Sequence, residues 1–440
     1  MKQSLRGSVD IVTLMNCGLA RVFGGLRGVV FCLCLFAAAA FAGQPKGVVL
    51  VIADGTSMEL ITATRIYKNG ANSRLSFETM PHTAFVRTVS ADGMITDSGA
   101  GATAMARGFK ALNTVVGAAA PGQPSQPSIL DLAKKAGWNT GVISDDSVTG
   151  ATPSSFVIEH PNRREEYVIA NKEIRALGKN LDFLFGGGSR FFEGEFSTDG
   201  KEAKFAPVFE ETKQLLGASN IRYFNSWDKF VAEKPKDLSR PILGVFHPNV
   251  FPYIADGPRK PALEDMVREG LTLLQNAGKP YIFIIEAGLP DKAAHQNQAK
   301  RAMEEVLVFE RTLEFLRQNV GPDVLLLATT DHETGGLAIS PGQPVSAKGD
   351  QLLKPSPITK IPVLTWATGP GGGDPSVTPT PVANVDPLAP SAMQPALLKT
   401  GAAFHSGGDV WMLGEGPGSE KVTGFLDNTD TFKIMAAAIK

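Results

Sequence analysis

The sequence predicts an α/β protein built on a large, mostly parallel central sheet with helices on both faces. Seven strand-like runs recur: GVVLVIAD (47–54), WNTGVIS (138–144), LDFLFGG (181–187), ILGVFHP (242–248), PYIFIIEAG (280–288), DVLLLATTD (323–331) and IPVLTWATG (361–369). Most are apolar without alternation, which is how strands buried on both faces read. Helical patterns lie between several of them, namely SILDLAKKAG, FAPVFEETKQLLG, PALEDMVREGLTLLQNAG and a long one from about Lys292 to Asn319. Strands that alternate with helices form parallel crossover units. The chain has 440 residues, 43% apolar and 20% charged, so it can bury the core that such a sheet requires.

The N-terminus reads differently. Arg21 and Arg27 precede the apolar run VVFCLCLFAAAAFA (29–42), which ends in small residues before Gly43. A basic region, an apolar run and a small-x-small ending make a secretory signal, with cleavage expected after Ala42. A membrane anchor is the alternative, but the run is shorter than the roughly 20 apolar residues of a spanning helix. The expectation is therefore an exported protein, periplasmic or extracellular, with no membrane span after cleavage. Cys17, Cys32 and Cys34 all fall in residues 1–42, leaving no disulfide or thiol chemistry in residues 43–440. That remainder carries 39 basic and 43 acidic residues, a net charge near −4, without the basic footprint of a nucleic-acid binder.

Several apolar runs end in an acid. Asp54 closes the first, Glu286 lies at the end of IFIIEAG, and Asp331 and His332 close LLLATTDH. In such a sheet, ligands bind beyond the carboxyl ends of the strands. A single terminal Asp is ordinary turn chemistry, but three on separate runs point to one site assembled from distant sequence. Of the six histidines, His295 follows Asp291 by four residues, one helical turn, so both can face the same way. His332 adjoins Asp331, and His405 lies in FHSGGDVW. Carboxylates with imidazoles and no thiol suit zinc, and two such sets suit a pair of ions. His82 and His247 read as ordinary hydrogen-bonded residues.

ITDSGAGATAMARG (95–108) places Ser98 before a run of very small residues. A serine hydroxyl is a weak nucleophile that metal coordination can activate, and small neighbours let metals and substrate approach its oxygen. A helix beginning there would favour an anion at its N-terminus. A tightly packed Gly/Ala helix is the plainer reading of that stretch alone. Residues 341–400 are rich in Pro and Gly (PGQP, GPGGGDPSVTPTPV, DPLAPSAMQP) and read as a surface excursion without long regular elements.

Six motifs in this order resemble the alkaline phosphatase family: VIADGTS, IxDSGAGAT, ATPSSFVIEHPNRR, IIEAGLPDKAAH, TTDHETGG and HSGGDV. The likeness runs from about Gly47 to the C-terminus. It implies hydrolysis of phosphate monoesters through a phosphoserine on Ser98, with two zinc ions and one magnesium ion. Asp291, His295 and His405 would hold one zinc, and Asp54, Asp331 and His332 the other. Asp54 would also reach a magnesium site shared with Thr152 and Glu286. Arg163, selected over Arg164 by its spacing from Thr152, would clamp the phosphate. Lys292 would reach the phosphate through water.

The resemblance further implies a single catalytic domain over 43–440, with 341–404 as a crown-like insertion, and it allows a homodimer. Lys292 stands where many relatives have histidine, and Gly150 where relatives carry Asp or His, and both departures lie near the implied magnesium site. Phosphodiesterases and sulfatases of the wider superfamily are the alternative activities. A metal- or phosphate-binding module without turnover is the alternative of another class.

Overall fold

The computed structural model describes residues 45–194, 200–373 and 386–439. The expected signal at 1–42, with its three cysteines, and residues 374–385 of the Pro-rich excursion lie outside the described residues.

GVVLVIA forms β1 (Gly47–Ala53), every residue of which is buried. Alternate residues of a strand point to opposite faces, and here both faces are covered. Val48, Leu50 and Ile52 pack into one apolar cluster with Ala102, Met105 and Ile434. Val49 and Val51 pack into another with Met266, Val267 and Phe309. Complete burial of one such aliphatic side chain contributes roughly 1.5–3 kcal/mol. The two clusters make a three-layer helix–sheet–helix arrangement, as the apolar runs require.

β1 lies inside a sheet of ten strands. The others are β2 (His82–Arg87), β3 (Asn139–Ser147), β4 (Phe183–Gly187), β5 (Arg222–Phe224), β6 (Ile242–Val245), β7 (Tyr281–Ala287), β8 (Val324–Thr329), β9 (Val410–Glu415) and β10 (Gly424–Asp427). Their spatial order is β10-β2-β9-β8-β1-β7-β3-β4-β6-β5. β1 pairs in parallel with β7 and β8, and Ile52 lies opposite both Glu286 and Thr329. That register brings the carboxyl ends of three strands together at the middle of the sheet. Among the described strands of this sheet, only β9 runs antiparallel, to β8 and β2.

Two expectations are corrected. IPVLTWATG does form a strand (Leu364–Gly369), but it joins a separate three-stranded sheet with Ala338–Ile339 and Ala396–Lys399 rather than the central one. Its burial alternates partly with exposure, so it is covered on one face only. The long helix expected from Lys292 to Asn319 is two helices, Leu289–His295 and Ala299–Asn319. Asn297 breaks it with a positive φ of 53°. Its side-chain amide donates to Thr368 O and accepts from Gly371 N, both at 3.0 Å, so the break is fastened to the excursion. Among the described residues, no helix is long and apolar enough to cross a membrane.

Candidate active site

Four helices position the site: α1 (Ser98–Arg107), α2 (Ala151–Val157), α3 (Leu289–His295) and α4 (Ala299–Asn319). Asp97 caps α1, its carboxylate accepting from Ala100 N. Ser98 therefore opens the helix, buried and facing the sheet edge. Its Oγ is 3.0 Å from His332 Nε2. The small residues after Ser98 have a steric reason. A Cβ on Gly101 would come within 3.3 Å of the Asp331 Cβ, so α1 rests directly against that residue. Gly55, just past Asp54, has φ of 67°, and a Cβ there would lie 2.7 Å from Asp291. Only glycine fits both that conformation and that gap.

The candidate ligands form two sets, Asp291–His295–His405 and Asp54–Asp331–His332, with one donor atom from each residue within 4.8 Å of the others in its set. In the first, His295 Nε2 is 3.2 Å from Asp291 Oδ2 and 3.3 Å from His405 Nε2. Each imidazole is oriented from behind. His295 Nδ1 is 2.6 Å from Ala403 O, and His405 Nδ1 is 3.1 Å from Thr96 O. A ring whose Nδ1–H donates to a carbonyl presents its Nε2 lone pair, the state a metal takes. Thr334 Oγ1 donates to Asp291 Oδ1 at 2.5 Å. In the second set, His332 Nε2 lies 3.2 Å from Asp331 Oδ2 and 3.7 Å from Asp54 Oδ1. The His332 and His405 rings stack at 3.6 Å, which joins the two sets into one centre.

The donor chemistry fits cations. Among the described residues, Asp54 Oδ1, Asp331 Oδ2 and Thr152 Oγ1 are buried without a hydrogen-bond partner, an arrangement that costs free energy unless something else satisfies them. Burial, reinforced by Asp331, Asp291 and Glu286, pushes the Asp54 carboxyl well above its usual range. Burial and then the charge of Asp146 push Glu286 to about 8. Asp291 goes the other way: burial raises it, but His295, by charge and hydrogen bond, and then His405 outweigh burial and hold it well below the ordinary value. Burial, then the neighbouring His405, holds His332 neutral. A cation beside Asp54 and Glu286 would favour their ionised forms near neutral pH.

Arg163 and Arg164 are placed differently. Its Nη1 lies 3.0 Å from Asp97 Oδ2, beside the nucleophile candidate, whereas Arg164 is exposed. Thr152 lies on α2 and Glu286 on β7, where Glu286 accepts from Ser144 Oγ. Lys292 Nζ is 2.9 Å from Asp146 Oδ2, and that pairing raises its pKa.

Sequence reasoning missed three supporting residues. Asp97 fastens Ser98 to Arg163, Thr334 holds Asp291, and Asp146 lies between Lys292 and the Glu286 carboxyl. The acidic pair in SDDS (144–147) was the available signal for the last. Behind it, the buried Asp145 accepts from Gly288 N at 2.7 Å, which fixes the turn from β7 into α3. Arg259 spans that carboxylate and Glu305, at 3.5 and 3.1 Å.

The family model described as alkaline phosphatase matches residues 45–440. The chain belongs to the alkaline phosphatase family. An alkaline phosphatase of Schizosaccharomyces pombe is 30% identical over 326 residues, 70% of this chain and 59% of that protein. The repressible alkaline phosphatase of Saccharomyces cerevisiae is 28% identical, with 69% of this chain matching 58% of its length. The chain thus spans less than two thirds of these yeast relatives. Alkaline phosphatase 4 of Bacillus subtilis is 27% identical over 430 residues, 90% of this chain and 89% of that protein.

Among solved structures, the alkaline phosphatase of the Antarctic bacterium TAB5 superposes with a TM-score of 0.66 at 22% identity, covering 90% of this chain and 98% of that one. The Thermus thermophilus alkaline phosphatase gives 0.66 at 24%, covering 90% and 91%. These structures share the fold. A substituted form of the TAB5 enzyme has been solved with Mg bound in its M3 site.

Proposed function

We propose that this chain hydrolyses phosphate monoesters through a phosphoserine on Ser98. The observation that carries the reading is the Ser98 hydroxyl 3.0 Å from His332 Nε2, at the join of two Asp/His sets. Asp291, His295 and His405 would hold one zinc ion, and Asp54, Asp331 and His332 a second. Thr152, Glu286 and Asp54 would hold magnesium, as the unpartnered Thr152 hydroxyl suggests. Two zinc ions held there would supply positive charge to the entering and leaving oxygens of an in-line displacement.

The protein's own groups do the rest. α1 directs Ser98 Oγ at the phosphorus, and Asp97 fixes both that helix and Arg163. The Arg163 fork binds two non-bridging oxygens of the phosphoryl group. Ser98 Oγ forms the P–O bond as the alcohol leaves, and water then displaces Ser98 and releases inorganic phosphate. Two successive displacements retain configuration at phosphorus.

The rest of the reading is supported by sequence pattern. It comprises a secretory signal at 1–42, export to the periplasm or extracellular space, and one catalytic domain over 43–440 with a crown-like segment at about 341–404; a homodimer rests on the family resemblance alone.

Purified protein supplied with zinc and magnesium should turn over p-nitrophenyl phosphate far faster than bis(p-nitrophenyl) phosphate or p-nitrophenyl sulfate. Preference for the diester or the sulfate would reassign the reaction, and no turnover of any would make the chain a binding module.

Lys292 tunes the same site. Tied to Asp146 and one residue from Asp291, its ammonium adds positive charge beside the bound dianion. Lys292→Ala should raise the phosphate inhibition constant on the order of fivefold. A change within twofold would leave Lys292 as no more than the partner of Asp146.

A further inference from the structure

Between Arg163 and Lys292 opens a cavity of about 340 Å³, lined also by Gly150, Arg164, Phe191 and Asn249. Two of these residues tie it to the phosphoryl site. Arg163 is bound to Asp97, the neighbour of Ser98, and Lys292 follows Asp291 in α3. The cavity therefore adjoins the place where the phosphate would be held. Gly150, in its wall, has no room for a side chain. A Cβ there would meet Ser147 O at 2.8 Å and point at Asp146 Oδ2, 3.6 Å away.

Nearly all the charge in its wall is already matched. Lys292 is paired with Asp146, Arg163 with Asp97, and Arg190 with Glu202. Glu166 accepts from Thr149 Oγ1, and burial pushes its carboxyl to about 7. Arg164 differs from all of these. Its backbone N–H donates to Asn162 Oδ1, but its guanidinium has no ion pair or hydrogen bond among the described residues. It stands exposed at the cavity, one residue from the phosphate clamp.

We propose that this cavity is a leaving-group subsite that selects phosphate monoesters bearing a second anionic group, with Arg164 as the residue that recognises it. The inference rests on the monoesterase reading of Ser98 and adds a substrate class to it. A planar guanidinium with five donors and no competing carboxylate binds phosphate or carboxylate through two hydrogen bonds. A cavity of this volume takes a small phosphorylated alcohol rather than a folded polypeptide.

The test compares α,ω-alkanediol bisphosphates of three to six carbons with the hydroxyalkyl monophosphates of equal length, which have matched leaving groups. In the unaltered protein, kcat/KM for the best bisphosphate should exceed that of its monophosphate by about tenfold or more, beyond the roughly twofold advantage of having two equivalent ends. Arg164→Ala should bring the ratio down to that statistical value, Arg164→Glu should take it lower, and Arg164→Lys should keep part of the preference.

A ratio near the statistical value in the unaltered protein, or one that Arg164→Ala leaves unchanged, overturns the subsite while the monoesterase reading stands. Failure to hydrolyse either ester overturns that reading and the subsite with it.

Discussion

Replacing Ser98 with alanine should abolish covalent capture of phosphate and lower kcat/KM by on the order of a thousandfold or more. The expected size follows from the position of the hydroxyl. Ser98 is buried, its helix is capped by Asp97, and its oxygen lies 3.0 Å from His332 Nε2, at the join of the two ligand sets. A residual rate should survive, because both ligand sets and Arg163 remain to position a water against the same phosphorus. The decisive measurement is acid quenching during turnover of radiolabelled substrate. Label retained equally on the unaltered protein and on Ser98→Ala would mean that another residue is the nucleophile.

Removing metal should destabilise the protein as strongly as it inactivates it. Asp54, Asp291, Asp331 and Glu286 are all buried around one edge of the sheet. Ions that bind only the folded chain stabilise it by about 4 kcal/mol each at a thousandfold excess over the dissociation constant. For a domain of this length the entropy of unfolding is on the order of 0.8 kcal/mol/K, so losing two ions should lower the melting temperature by roughly 10 °C.

The gap between loaded and stripped protein should also depend on pH. In the stripped protein the Glu286 carboxyl, at about 8, lies above its unfolded value. A raised acid stabilises the fold below its unfolded pKa and loses that contribution as pH rises through the folded one. Stripped protein should thus weaken between about pH 5 and 8, and the gap should widen over that range. An unchanged melting temperature after verified metal removal would count against the proposed centre.

Much of the fold was legible because the central strands are buried on both faces, and burial of that kind writes itself as unbroken apolar runs. Asp54, Glu286 and Asp331 could be read as one edge because each ends such a run. The strands β2, β9 and β10 at one side of the sheet, and the edge strand β5 at the other, were not read. β2 alternates buried and exposed residues over only six positions, a signal a loop can mimic. The break in the long helix was hidden because both halves keep a helical pattern, while the cause, Asn297, acts through partners more than 70 residues away. The ligand types were visible in the motifs. The residues that orient them were not, since Ala403 and Thr96 act through backbone carbonyls that carry no sequence signature.

That helix break has a consequence for how the centre holds together. Asn297 is bound to Thr368 and Gly371, its own carbonyl accepts from Gln394 N, and His295 exchanges hydrogen bonds with Ala403. The excursion and the Asp291–His295–His405 set are therefore laced along one seam, with His405 itself at its far end. Opening that seam would pull His405 from its companions, and an ion held by all three would resist the opening by the free energy with which it binds. The cation would then serve as a rivet for a loop-rich flap as well as a participant in chemistry. The flap's own sequence, far from the reacting atoms, would in turn set how tightly that rivet is gripped.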